Sequence, residues 1–295
     1  MKAGQRGFLL LTSYLGDSER KPLTLAQFRT LTSRVRALEH KDISREICPE
    51  DMIALGYSRQ MAERIVNLLS QEELLDGYLR RSAKENCVPI TRYDEAYPQA
   101  ARQRLGLDAP GCLWAKGDMS LLGEPMVSLV GSRELQSKNE EFATVVGREV
   151  ARQGYVLVSG NAKGADKTAQ QACLEAGGKV ISVVADQLSK QPAQENVLYL
   201  SEDGFDLPFA PQRALSRNRI IHTLGYITLI AQCTLGTGGT WDGTCKNLKN
   251  NWSPVFCFDD GSPAMAQLAQ LGATIIGINQ LQDLSALHSD IEKFI

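Results

Sequence analysis

Between residues 126 and 278, short continuous apolar runs recur with helical segments between them. That alternation limits the fold more than any other feature of the chain. The runs lie at 126–130, 155–158, 179–185, 197–200, 226–231, 255–258 and 273–278. Unbroken apolar strands suit a sheet covered on both faces, and strands alternating with helices argue for parallel pairing. The clearest helix lies within 140–153, where Phe142, Val145, Val146 and Val150 share one face. The expectation is an α/β fold, a Rossmann-like doubly wound and mostly parallel sheet. Residues 1–87 differ, with helical patterning and few strand signals. Thr24 stands as a cap before an apolar periodicity, and Leu55-Gly56-Tyr57-Ser58 reads as a glycine turn and a serine cap. This helix-glycine-helix pattern reads as packing, with a helix-hairpin-helix DNA contact as the alternative. Pro89 breaks the pattern, so the expected division is a small N-terminal helical domain (1–87) and a Rossmann domain (88–295).

In an open parallel sheet, loops at the carboxyl ends of strands line the ligand crevice. Two such loops combine glycine with a cation: Gly131-Ser132-Arg133, and Ser159-Gly160-Asn161-Ala162-Lys163-Gly164-Ala165-Asp166. A third segment, Arg217-Asn218-Arg219, opens a helix whose Ile220, Ile221 and Leu224 face inward. Amides at a helix start together with unneutralised Arg or Lys suit phosphate. The candidate phosphate-binding residues are therefore Gly131, Ser132, Arg133, Ser159, Gly160, Lys163, Gly164, Arg217, Asn218 and Arg219. Side chains two apart on a helix diverge by about 200°, so one of the two arginines should meet the ligand while the other pairs with an acid or supports the loop. Asn218 can bond either phosphate or a neighbouring loop's backbone. The competing reading is plain turn formation, with Gly160 and Gly164 permitting the path and Asp166 capping the helix. GxxxxGK[ST] is absent, so neither loop is a P-loop. His222 reads as a packed surface residue, and no residue is assigned a catalytic role.

Net charge is −2, which excludes a broadly basic coat and confines any nucleic-acid contact to a local patch. The seven cysteines are scattered with no CxxC pair, and three dispersed histidines give no ligand spacing, so no metal site is expected. Cys173, Cys233 and Cys257 sit in apolar patterns and read as core. Phe8-Leu9-Leu10-Leu11 is cut short by Thr12-Ser13 and reads as a buried helix, not a signal peptide or a membrane span. A cytoplasmic location is the expectation.

Taken in order and spacing, these loops resemble the DprA/Smf family of DNA-processing proteins. The resemblance begins near Tyr93-Asp94-Glu95-Ala96-Tyr97-Pro98, continues through Asp108-Ala109-Pro110-Gly111-Cys112-Leu113-Trp114-Ala115-Lys116-Gly117-Asp118, and runs to about Phe258. It implies a Rossmann-like domain that binds single-stranded DNA without catalysis or cofactor, usually as a homodimer. It further implies a role in DNA uptake (transformation) and recombination, a recombinase partner, and a place for Arg133 in the DNA pocket. Phage defence is a further role left open. The chain departs from the family in three places. Gln170 stands where His is common, Ala214-Leu215 replace Phe-Pro, and the segment after Phe258 is expected to complete the sheet with no winged helix.

The loop Gly236-Thr237-Gly238-Gly239-Thr240 supports a different reading, a nucleotide-sensing or nucleotide-cleaving domain. Asp259 follows it at a distance suited to a ribose-binding acid. The loop resembles that of LOG-type nucleotide phosphoribohydrolases, whose catalytic Glu would fall at Gly243, with Asp242 one place early. In the DNA-binding family a Ser-Gly-Ser-like loop is usual here.

Overall fold

The computed structural model describes residues 1–38 and 45–288. Its strands are β1 (Val88–Thr91), β2 (Cys112–Gly117), β3 (Met126–Val130), β4 (Val156–Ser159), β5 (Lys179–Val183), β6 (Val197–Ser201), β7 (Thr228–Ile230), β8 (Val255–Phe258) and β9 (Thr274–Ile276). They form one sheet in the order β1-β2-β6-β5-β4-β3-β7-β8-β9. Pairing is parallel from β6 to β9, whereas β1–β2 and β2–β6 are antiparallel. All seven apolar runs become strands, with ends displaced by at most two residues. The antiparallel edge was not expected from the sequence: β1 holds Pro89, and the apolar core of β2 is only Leu113-Trp114-Ala115.

Side chains alternate across the sheet and bury on both faces. Val127, Leu129, Leu157 and Val180 face α7 (Ser137–Arg152) and α8 (Ala165–Glu175), packing on Phe142, Val146, Val150, Ala169 and Cys173. Met126, Val130, Val156, Val158, Ile181 and Val183 face the opposite layer. That layer holds α6 (Gln99–Leu105), α10 (Asn218–Leu224), α11 (Gly238–Asn250) and α12 (Pro263–Gln270). From β3 the chain winds outward through β4, β5 and β6, then returns to place β7 on the other side of β3. The direction of winding therefore reverses between β3 and β7, which is where such sheets open a crevice.

The N-terminal residues form α1 (Ala3–Thr12), α2 (Leu25–Arg36), α3 (Pro49–Ala54), α4 (Arg59–Leu69) and α5 (Glu72–Lys84). Thr24 accepts a hydrogen bond from the Gln27 amide and Ser58 from that of Met61, so both caps close their helices. Gly56, at φ +84°, turns the chain between α3 and α4. The guanidinium of Arg34 lies over the Tyr57 ring and donates to Leu55 O. Leu31, Met52, Ala62, Ile65 and Leu68 form a separate small core. Phe8, Leu9, Leu10, Leu75 and Tyr78 instead join the cluster on the α7–α8 face of the sheet. Tyr78 meets Trp114 of β2 edge-on at 5.3 Å and donates to Asp206 Oδ1 at 2.8 Å. The helices thus cover the antiparallel end of the sheet. No described helix is long and apolar enough to cross a membrane.

Candidate nucleic-acid interface

At the reversal point two adjoining cavities open, each of about 410 Å³. The first lies under the loop between β7 and α11, and the second over the loop between β4 and α8. Arg133, Ala162, Ala214 and Arg217 line both, so two arginines stand on the ridge between them. Gly131, Ser132, Asn218, Thr237, Gly238, Gly239 and Thr240 line the first cavity, and Gly160 and Lys163 line the second.

Backbone close approach builds the ridge. At Gly164, with φ at +84°, a Cβ would stand 2.4 Å from Ser132 O and 2.5 Å from Arg133 O. The β3 and β4 loops can therefore touch only through glycine. The Ala165 amide donates to Ser132 O, and Ser132 donates from both N and Oγ to Gln232 O. Gly131 packs against Ala165 and Ala231, and its carbonyl accepts from Thr240 Oγ1 at 3.0 Å, which ties the glycine-rich loop to the crevice. Asn218 Nδ2 donates to Gly239 O, so one N–H of its amide holds that loop while the residue lines the first cavity.

Arg217, at the junction of α9 (Pro211–Ser216) and α10, is the least balanced group in the crevice. It is 7% exposed, and its guanidinium packs against Gly160, where a Cβ would fall 1.6 Å from Nη1. Among the described residues its one ion-pair partner is Asp166, at 3.9 Å, and Nε and Nη1 have no hydrogen-bond acceptor. Burial lowers the Arg217 pKa, with Asp166 and Asp186 opposing and Arg133 adding like charge. The guanidinium stays protonated regardless. Asp166 is itself buried, which raises its pKa. Arg217 works against that rise, as do the amides of Ala162 and Gly160. Asp166 therefore fastens its own loop, with the Ala162 amide donating to Oδ2 at 3.1 Å, while only partly neutralising Arg217. Arg133 and Lys163 are exposed.

Several expected site residues lie elsewhere. Ser159 is fully buried because its position on β4 points at α8, and its hydroxyl accepts from Gln170 Nε2 at 2.7 Å. The same amide reaches Ser182, so Gln170 clamps two strands. Arg219 turns away from the crevice to pair with Glu202 at 2.6 Å and to bond Ser216 and Asp108 O. Gly164 serves the loop junction, and Gly236, at φ +72°, turns the chain without lining either cavity. His222 is no surface residue. It is wholly buried, its pKa is pushed down to about 3 by burial, and its Nδ1 meets Asn247 Nδ2 at 3.1 Å. A Cβ at Gly243 would lie 3.1 Å from His222 Nε2, Asp242 pairs with Lys246 on the outer face of α11, and Asp259 is exposed beyond β8.

The structure also supplies residues that the sequence reading did not single out. Phe209, 53% exposed, and Asp186 line the second cavity, while Leu215, noted in the sequence as a departure from the family, lines the first. The signal for Phe209 was an aromatic between Pro208 and Pro211 in a loop, where no core needs it.

Residues 89–286 match the profile of the family described as DNA recombination-mediator protein A. The chain is 30% identical over 202 residues to DNA processing protein DprA of Streptococcus pneumoniae, spanning 63% of this chain and 70% of that protein. It is 31% identical over 159 residues to DprA of Bacillus subtilis, spanning 50% of this chain and 52% of that one, about half the relative's length. The X-ray structure of DprA from Streptococcus pneumoniae superposes with a TM-score of 0.72 at 22% identity, covering 94% of this chain and 95% of that one. A DprA structure from Helicobacter pylori, described for its single-stranded DNA binding mode, gives a TM-score of 0.57 at 25% identity, covering 69% of this chain and 96% of that one.

Proposed function

The chain belongs to the DNA recombination-mediator protein A family, and on that premise we propose that it binds single-stranded DNA at the Arg133–Arg217 ridge without altering it chemically. The unbalanced guanidinium of Arg217 carries this reading. A buried charge short of acceptors is costly on its own account and is gained back when an anion arrives. Arg133 and Lys163 add exposed cations beside it. A phosphate on the ridge would leave one cavity on either side for the flanking nucleosides. The placements of Gly243, Asp242 and Asp259 favour binding over cleavage, since each of the positions proposed for a catalytic or ribose-binding acid is spent on packing, paired outward or remote. The cavity under Thr237–Thr240 keeps nucleotide sensing as a second reading, because the start of α11 faces it.

Fluorescence anisotropy with a labelled oligothymidylate tests the site. Arg133→Ala with Lys163→Ala should weaken binding at least about tenfold, as expected when charge-assisted phosphate contacts are lost. Unchanged affinity in that double variant contradicts the assignment. We extend the proposal to a homodimer, which would let two local patches hold one strand with avidity. Light scattering that returns the monomer mass at roughly tens of micromolar would count against it. A recombinase partner is proposed on the family's account, and separate elution of the two proteins on gel filtration in the presence of DNA would argue against it. We further propose that residues 1–87 and 88–295 are the two units of the chain, the first a small helical domain.

A further inference from the structure

We infer that the second cavity is a base-reading site that favours guanine, with Phe209 as its stacking platform and Asp186 and Asn161 as its acceptors. The inference rests on the single-stranded DNA reading of the ridge and concerns what lies beside the phosphate. The cavity is lined both by the cations Arg133, Lys163 and Arg217 and by the acceptor-bearing Asp186 and Asn161.

Asn161 has a fixed orientation. Gln191 Nε2 donates to Gln187 O at 3.2 Å, which leaves Gln191 Oε1 to accept from Asn161 Nδ2 at 3.1 Å. This relay of amides sets which way the Asn161 side chain faces. Its Oδ1 is left as a buried acceptor with no donor. Such an atom costs free energy until something donates to it. Asp186, on the loop after β5, adds a carboxylate to the same cavity, and an ionised carboxylate only accepts. Phe209 presents an exposed ring at the cavity lining, a flat apolar surface that a base can cover.

A ligand that satisfies all three features carries a phosphate, a flat face and an edge of adjacent donors. Guanine alone among the DNA bases offers two neighbouring donors, N1–H and the N2 amine, to one carboxylate. Adenine and cytosine each set an acceptor nitrogen beside their amine, and thymine flanks its single N3–H with two carbonyls. Each of those edges turns a lone pair toward Asp186 and Asn161. A site lined by such acceptors rejects those edges more strongly than an apolar pocket would.

The test is competition for a labelled oligothymidylate by four unlabelled strands, plain oligothymidylate and oligothymidylates carrying one internal G, A or C, read by anisotropy on the full chain. The guanine-bearing competitor should displace the probe at about one-tenth the concentration that the others need. Asp186→Asn should remove that preference while oligothymidylate itself still binds. Phe209→Ala should weaken all four competitors alike. If wild-type protein ranks the four equally, or Asp186→Asn keeps the guanine preference, the inference is overturned while the binding ridge stands. If no oligonucleotide binds at all, the single-stranded DNA reading falls and this inference with it.

Discussion

A guanidinium that is nine-tenths buried has to be held by acceptors or by an ion, and Arg217 has neither in full. Asp166 stands at the outer limit of ion pairing, at 3.9 Å, with both groups buried. Asp166→Asn separates the two roles of that carboxyl. The amide oxygen can still accept from Ala162, but the ion-pair partner of Arg217 disappears and only the weaker influence of Asp186 remains. The expected outcome is a melting stability lower by about 1–3 kcal/mol together with tighter oligonucleotide binding at low salt, because the crevice gains net positive charge. Calorimetry and anisotropy on the same sample check this, and a variant with unchanged melting and unchanged affinity would contradict it. At this scale the sequence was legible in kind but not in role. Arg217 and Arg219 both read as cations near a helix start. Which one pairs away depended on Glu202, just past the end of β6, and was identifiable only once the fold brought that carboxylate to Arg219. Ser159 misled for a related reason, since the parity of a strand residue decides its face, and that parity required the true end of β4.

At the scale of elements, the site is a junction of three loops held together by backbone contacts. Two glycines there do different work, and substitution tells them apart. Gly160→Ala meets the far end of a flexible arginine side chain, which can shift. It should leave the fold within about 1 kcal/mol of wild type while displacing Arg217 and weakening DNA binding. Gly164→Ala meets the carbonyls of Ser132 and Arg133 in a left-handed conformation. It should cost more than about 1 kcal/mol of stability. Thermal melts alongside binding curves separate the two, and equal melting temperatures would contradict the account of Gly164. The parallel strands and their helices were legible because continuous apolar runs are long-range signals written locally. The edge strands β1 and β2 were not, because four residues with a proline and a three-residue apolar core look like loop until a partner strand pairs with them. The Phe209 loop was missed for the converse reason. Its ring is informative only because nothing covers it, and exposure is not written in a sequence.

For the whole molecule, a chain with net charge −2 binds a polyanion only where its cations are gathered and left unneutralised. Many of its arginines are committed elsewhere: Arg219 to Glu202, Arg213 to Asp203 and Ser201, and Arg6 to Glu72 and Asp76. The ridge gathers Arg133, Lys163 and Arg217 at the reversal of the sheet, and the N-terminal helices seal the sheet's far, antiparallel end. The central claim is that these three cations, and no diffuse surface field, hold the strand. The salt dependence of oligonucleotide affinity measures that number directly. A log–log slope of about −2 is expected for three phosphate contacts on a single strand, becoming shallower by about 0.7 for each of Arg133, Lys163 and Arg217 replaced by alanine. A slope that stays the same in all three variants would contradict the account.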